Sequence, residues 1–132
     1  MKVQLKKVKA AGFSLVELLV VIAVIGIMAA IAIPMISNIN ANATTAKNKR
    51  NAQQLASTYG AATAAGATVT GATPLAIAAT LKSGVSGPSG SQFQNTKFQV
   101  SLGAAEITAA APYLTFDAAT NVLTYDVDYT TP

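Results

Sequence analysis

From Phe13 to Ile36 the chain reads FSLVELLVVIAVIGIMAAIAIPMI, and 20 of these 24 residues are apolar, the exceptions being Ser14, Glu17, Gly26 and Pro34. Wound as a helix, such a run is apolar on every side and leaves no face for water. At about 1.5 Å per residue it spans roughly 36 Å, enough to cross a bilayer. No charge follows Glu17 until Lys47. Beyond Pro34 the pattern changes. Ile36, Ile39, Ala43 and Ala46 recur at three- and four-residue steps, and Ala52, Leu55, Ala56 and Tyr59 do the same, with Lys47, Lys49, Arg50, Asn51 and Gln53 on the turns between. This predicts one helix of about 47 residues, apolar all round in its first half and amphipathic in its second, ending at Gly60. A small-residue loop then runs to Pro74.

The amphipathic stripe needs a cover, and the rest of the chain supplies short elements for it. Thr73-Pro74 has the form of an N-cap followed by proline at the first helical position, opening a short helix through Leu75, Ile77, Ala78 and Leu81 that ends at Lys82-Ser83-Gly84. After a turn-rich VSGPSGSQ, Phe98, Val100 and Leu102 alternate with Gln99 and Ser101 as in a strand. Residues 113–116 and 122–129 read as two more strands, joined across the polar 117–121 segment as a hairpin. The predicted hairpin covers the stripe, with Leu55 and Tyr59 among the buried contacts. The fold class is α+β, a long helix against a small antiparallel sheet.

Composition narrows the chemistry. The 132 residues contain no Cys and no His, which removes disulfides, thiol catalysis, Ser-His-Asp chemistry and His or Cys metal sites. Charged residues are only 11% of the chain while 52% are hydrophobic, too sparse a charge for an ordinary small soluble domain. The net charge of +4 is local. Lys2, Lys6, Lys7 and Lys9 precede the apolar run with no acid among them, and residues 13–132 balance to zero. A basic segment ahead of an apolar span reads as a targeting leader and places the following residues across and outside the membrane. With no paired carboxylates in a predicted cleft and no phosphate-binding glycine loop, an enzyme is not expected.

The order at the leader boundary is Lys9-Ala10-Ala11-Gly12, then Phe13-Ser14-Leu15-Val16-Glu17 and the apolar run. This resembles the prepilin signal of type IV pilins and type II secretion pseudopilins, over about residues 6–39. The resemblance implies that a prepilin peptidase cuts after Gly12 and N-methylates the new terminus, Phe13. It implies that Glu17 is the buried glutamate of assembly, and that Gly26 and Pro34 bound a stretch that unwinds when subunits polymerise. Ser14 stands where Thr is commoner. The implied organisation is a leader of residues 1–12, a transmembrane and polymerisation helix over 13–36 and a pilin-like globular domain over 37–132. The implied function is the structural subunit of an extracellular type IV pilus-like filament, with a type II secretion pseudopilin as the alternative. Its partners would be further copies in a helical filament, the peptidase, a pilus or secretion assembly platform and, before assembly, the inner membrane. Its final place would be a cell-surface filament or a periplasmic pseudopilus.

Residue chemistry bears on this independently. A charge within a membrane span costs roughly 2.5–3.5 kcal/mol near the centre and usually has a partner. Glu17 lies toward one end, so it either snorkels to the interface or receives the Phe13 amine of a neighbouring subunit displaced by about 6 Å. Pro34 removes the partner of Ala30 C=O, which suits a simple kink, and Ala23, Gly26 and Ala30 suit a small-residue packing face. Lys47, Lys49 and Arg50 form a weak footprint for nucleic acid, and a solvated face or intersubunit contact is expected instead. No cofactor is expected. Asp117, Asp126 and Asp128 bring calcium to mind, yet Asp126 and Asp128 alternate in a predicted strand without a compact loop of oxygen ligands. The competing class is a secreted binding module behind an ordinary signal peptide, for which Ala41-Asn42-Ala43 is the cleavage site; the apolar run is long for that, and Glu17 interrupts it.

Overall fold

The computed structural model describes residues 12–127. Its first element, α1, is a 50-residue helix over Leu15–Ala64 with Pro34 inside it. By backbone proximity the chain forms two compact units that divide between Ala41 and Asn42.

In the first unit every large apolar side chain from Phe13 to Ile39 is exposed, Phe13 at 91% and Ile31 at 69% among them. This half of α1 has the length and hydropathy of a membrane span, and none of its most apolar window is buried within the protein. Ile36 and Ile39, placed by the periodicity on a covered stripe, belong to this exposed set.

In the second unit α1 carries a buried face of Asn51, Ala52, Leu55, Tyr59 and Ala62. Around it follow α2 (Pro74–Ser83), β1 (Val85–Ser86), β2 (Lys97–Phe98), α3 (Ala104–Ala110), one 3-10 turn at Ala111–Tyr113, β3 (Leu114–Asp117) and β4 (Val122–Tyr125). The core joins Leu55 and Tyr59 of α1 with Ile77 and Leu81 of α2, Val100, Ile107 of α3, Tyr113, Leu114 of β3 and Leu123 of β4. The hairpin therefore covers the stripe as expected, from position 51 onward. Asn51, a polar position by sequence, is among the buried residues, and its Nδ2 has no hydrogen-bond partner among the described residues.

Four expectations are corrected. The helix does not end at Gly60: the Ala-rich turn after it propagates, and a glycine inside a helix costs only about 1 kcal/mol. It stops at Gly66, whose φ of 80° is the left-handed cap conformation. Gly66 N–H donates to Thr63 O (2.9 Å) and Ala67 N–H to Ala62 O (2.9 Å), and Ala67 buries beside the cap. The strand at 98–102 shrinks to Phe98. Val100 is buried, but its N–H donates to Leu81 O at the end of α2 (3.2 Å), and Gln99 Nε2 donates to Lys82 O (2.9 Å), so the segment is satisfied by a helix terminus and not by a ladder. The 122–129 strand ends at Tyr125, Asp126 and Val127 lie past it, and the remainder falls outside the described residues. The single sheet is instead two antiparallel pairs, β1 with β2 and β3 with β4.

Three elements lie where none was expected: β1 in the turn-rich connection, the 3-10 turn at Ala111–Tyr113, and α3. The helix α3 starts at Gly103, whose N–H donates to Glu106 Oε2 (2.9 Å), the three-residue spacing of a capping glutamate. The same carboxylate meets Lys47 Nζ at 2.6 Å and so ties α3 to α1. The cap of α2 is as read: Thr73 Oγ1 accepts from Ala76 N–H (3.3 Å), with Pro74 at the first helical position. In the hairpin, Leu114 pairs with Tyr125 and Phe116 with Leu123. Asp117 accepts from Ala119 N–H (2.9 Å) and Thr120 Oγ1 (2.7 Å), and Asn121 takes the left-handed φ of 52°. Tyr59 closes this end: its hydroxyl donates to Asn121 Oδ1 (2.9 Å), and its ring meets Phe116 edge-on at 6.2 Å. Burial pushes the Tyr59 hydroxyl above its ordinary pKa.

Candidate processing and assembly site

The singled-out residues of the leader boundary lie along one short stretch of chain. Gly12, Phe13 and Ser14 precede the helix and are exposed, so the Gly12–Phe13 peptide bond is outside any regular element. Helix α1 begins one residue after Ser14, and the local chemistry explains why. Ser14 Oγ accepts from Val16 N–H (3.2 Å), and Glu17 Oε2 accepts from Ser14 N–H (3.0 Å). Ser14-Leu15-Val16-Glu17 thus caps the helix as a variant of the capping box, the hydroxyl taking the second helical amide and not the third, so that hydroxyl and carboxylate each satisfy one backbone donor that the helix cannot. A negative group in the first turn also complements the helix dipole.

Around Glu17 lie Phe13, just ahead of the helix, and Val16, Val20 and Val21 in its first turns. Together they form an apolar, exposed surface with a single carboxylate in it. Gly26 and Pro34 sit further along α1, both within the helix, and a Cβ at Gly26 would meet nothing within 4 Å. In the single chain the helix runs through both positions.

The other candidate groups are placed elsewhere. Of the three clustered cations, Lys47 is paired with Glu106 and Lys49 Nζ stands 5.9 Å from the Tyr113 ring centroid. Asp117 is committed to its own turn, and Asp128 lies outside the described residues. Among the described residues no three acidic side chains converge.

The capping role of Ser14 and Glu17 is the part of the site that sequence reading missed, although the S-x-x-E spacing before an apolar run was there to find it. What the fold and this boundary define is a class: a chain with a long N-terminal helix whose first half is apolar and exposed and whose second half belongs to a small α+β unit, opened by a capped turn next to an accessible peptide bond. Residues 7–33 match the family described as the prokaryotic N-terminal methylation motif. That motif is the signal of type IV pilin and pseudopilin precursors, and this chain carries it together with the pilin-like α+β layout. No curated protein and no solved structure matches the chain.

Proposed function

We propose that this protein is the structural subunit of an extracellular type IV pilus-like filament. The observation that carries this reading is the exposed apolar half of α1 with Glu17 as its one charge. Such a surface is at home in lipid and equally at home against copies of itself, so assembly exchanges one apolar environment for another. The precursor sits in the inner membrane until a prepilin peptidase cuts between Gly12 and Phe13 and methylates the Phe13 amine. Residues 13–36 then form the polymerisation helix and residues 37–132 the globular domain. The amine of one subunit pairs with Glu17 of a neighbour displaced by roughly 6 Å along the helix, which fixes the stagger between subunits. The stretch between Gly26 and Pro34 opens during packing, since the Ala30 carbonyl already lacks a helical donor. The remaining partner is an assembly platform at the membrane.

The test is to delete the gene and to replace Glu17 by Ala, scoring processing and filaments in the same cells. Breaking a buried ion pair costs roughly 3–5 kcal/mol, and here the cost recurs at every subunit. Glu17→Ala chains are expected to insert and be cleaved, then accumulate as membrane monomer, while the wild type gives surface filaments that deletion abolishes. Abundant filaments from the Ala variant contradict the pairing. Loss of protein secretion without loss of surface filaments points to the pseudopilus.

A further inference from the structure

We infer that Ser14 is a positioning residue for assembly: with Glu17 it closes a box that fixes one carboxylate oxygen on the subunit's own backbone and leaves the other for a neighbour's amine. This inference rests on the filament reading above. Its basis is the reciprocal pair of contacts at the start of α1, Ser14 Oγ with Val16 N–H at 3.2 Å and Glu17 Oε2 with Ser14 N–H at 3.0 Å.

The geometry has two consequences. First, a glutamate on an exposed helix face samples many rotamers, and a partner that binds it must freeze them. Here Oε2 is anchored before any partner arrives, so the direction of the carboxylate is set by the first turn of its own helix. The side chains around Glu17 (Phe13, Val16, Val20 and Val21) are apolar and offer Oε1 no side-chain donor. Second, the first amides of a helix have no partner within it, and in an apolar medium there is little water to supply one. The hydroxyl of Ser14 satisfies Val16 and the carboxylate satisfies Ser14, so the turn bearing Glu17 stays wound while the subunit waits in lipid. Without the hydroxyl that turn frays, and the acid loses its fixed position although its charge is intact. Ser14 therefore acts through Glu17, and a residue with a hydroxyl at the same place serves equally.

The experiment uses the full chain processed in cells by a prepilin peptidase, with Ser14→Ala, Ser14→Thr and Glu17→Gln alongside the wild type. Two quantities are read: amide hydrogen exchange at Ser14 and Val16 in the processed subunit in detergent micelles, and the ratio of filament to membrane-bound chain in the same cells. Ser14→Ala is expected to speed exchange at Val16 about five-fold, the size of one lost N-cap, and to lower filament yield several-fold with cleavage unchanged. Ser14→Thr restores both. Glu17→Gln retains a carbonyl acceptor for Ser14 N–H, so exchange at Ser14 stays slow while assembly is lost, separating cap from charge. Wild-type filament yield from Ser14→Ala, or a loss of filaments with unchanged exchange at Val16, overturns the positioning role. A wild-type chain that forms no filaments overturns the filament reading and the assembly role of Ser14 with it, while the exchange rates still report whether the box exists.

Discussion

Helix α1 is one element with two opposite relations to its surroundings. From Leu15 to Ile39 its large apolar side chains are all exposed, whereas from Asn51 to Ala62 it carries a buried face whose Leu55 and Tyr59 are nearly inaccessible. Both halves are α-helical, the first lacking one backbone hydrogen bond at Pro34, and what separates them is side-chain chemistry. The first half is apolar on all sides and has nothing to gain from a particular neighbour within the chain. The second alternates, so only one face can be covered, and α2, α3 and the β3–β4 hairpin cover it. The lesson is that helix propensity sets the length of such an element while the width of its apolar stripe decides whether the chain's own small core can cover it.

The largest way to break this comparison is to remove equal side chains from both halves. Leu55→Ala should destabilise the globular unit by about 2–5 kcal/mol, because Leu55 is fully buried in the core. Ile31→Ala, at a position 69% exposed, should leave that stability unchanged. Thermal unfolding of the processed chain in mild detergent, followed by tyrosine circular dichroism, reads both. Equal losses would show that the two halves share one core.

A smaller effect comes from the two glycines at the end of α1, which should respond with opposite signs. A Cβ at Gly60 meets nothing within 4 Å inside a regular helix, so Gly60→Ala should stabilise by about 1 kcal/mol. Gly66 has φ +80° and the Pro88 ring 3.3 Å from where a Cβ would sit, so Gly66→Ala should cost about 1–2 kcal/mol. Stabilisation by both would mean that the helix terminates elsewhere.

The smallest effect is electrostatic. Lys47, as hydrogen-bond partner and charge, and the Gly103 amide hold the Glu106 carboxyl below its ordinary value of 4.5. A depressed folded-state pKa contributes stability that is fully present above that ordinary value and is lost as pH falls through the lower folded value. Lys47 is exposed and Glu106 half-buried, so the loss is slight. Glu106→Gln should therefore flatten the acid limb of the melting curve below pH 4.5 and change little at neutral pH. An unchanged acid limb would show that the Lys47 contact is not made in solution.

How much of this was legible follows from where the determinants lie. The apolar run and the cap at Thr73-Pro74 are local signals, and the structure has both a long apolar helix and that cap. The stop at Gly66 was also local but was masked by Gly60, an earlier glycine of the same type. Residues 98–102 alternate like a strand and bury like one, yet their partner is the end of α2, a tertiary fact with no trace in their own spacing. Helix α3 is Ala-rich and only seven residues long, too short to show a period, and its signal was Glu106 three residues after Gly103. Asn51 is buried because packing of the small core reaches one position wider than the apolar stripe. At the Gly12–Phe13 boundary the S-x-x-E spacing is in the sequence, and the structure adds that Ser14 and Glu17 each bond the other's turn.

The central claim is that the exposed half of α1 is delivered by a prepilin signal, and the terminal peptide of the native protein tests it most directly. Mass spectrometry of protein taken from cells should find a chain beginning at Phe13 and carrying one N-methyl group. A chain beginning at Thr44, after Ala41-Asn42-Ala43, would mean that the apolar helix is discarded as an ordinary signal peptide, and the account would be wrong.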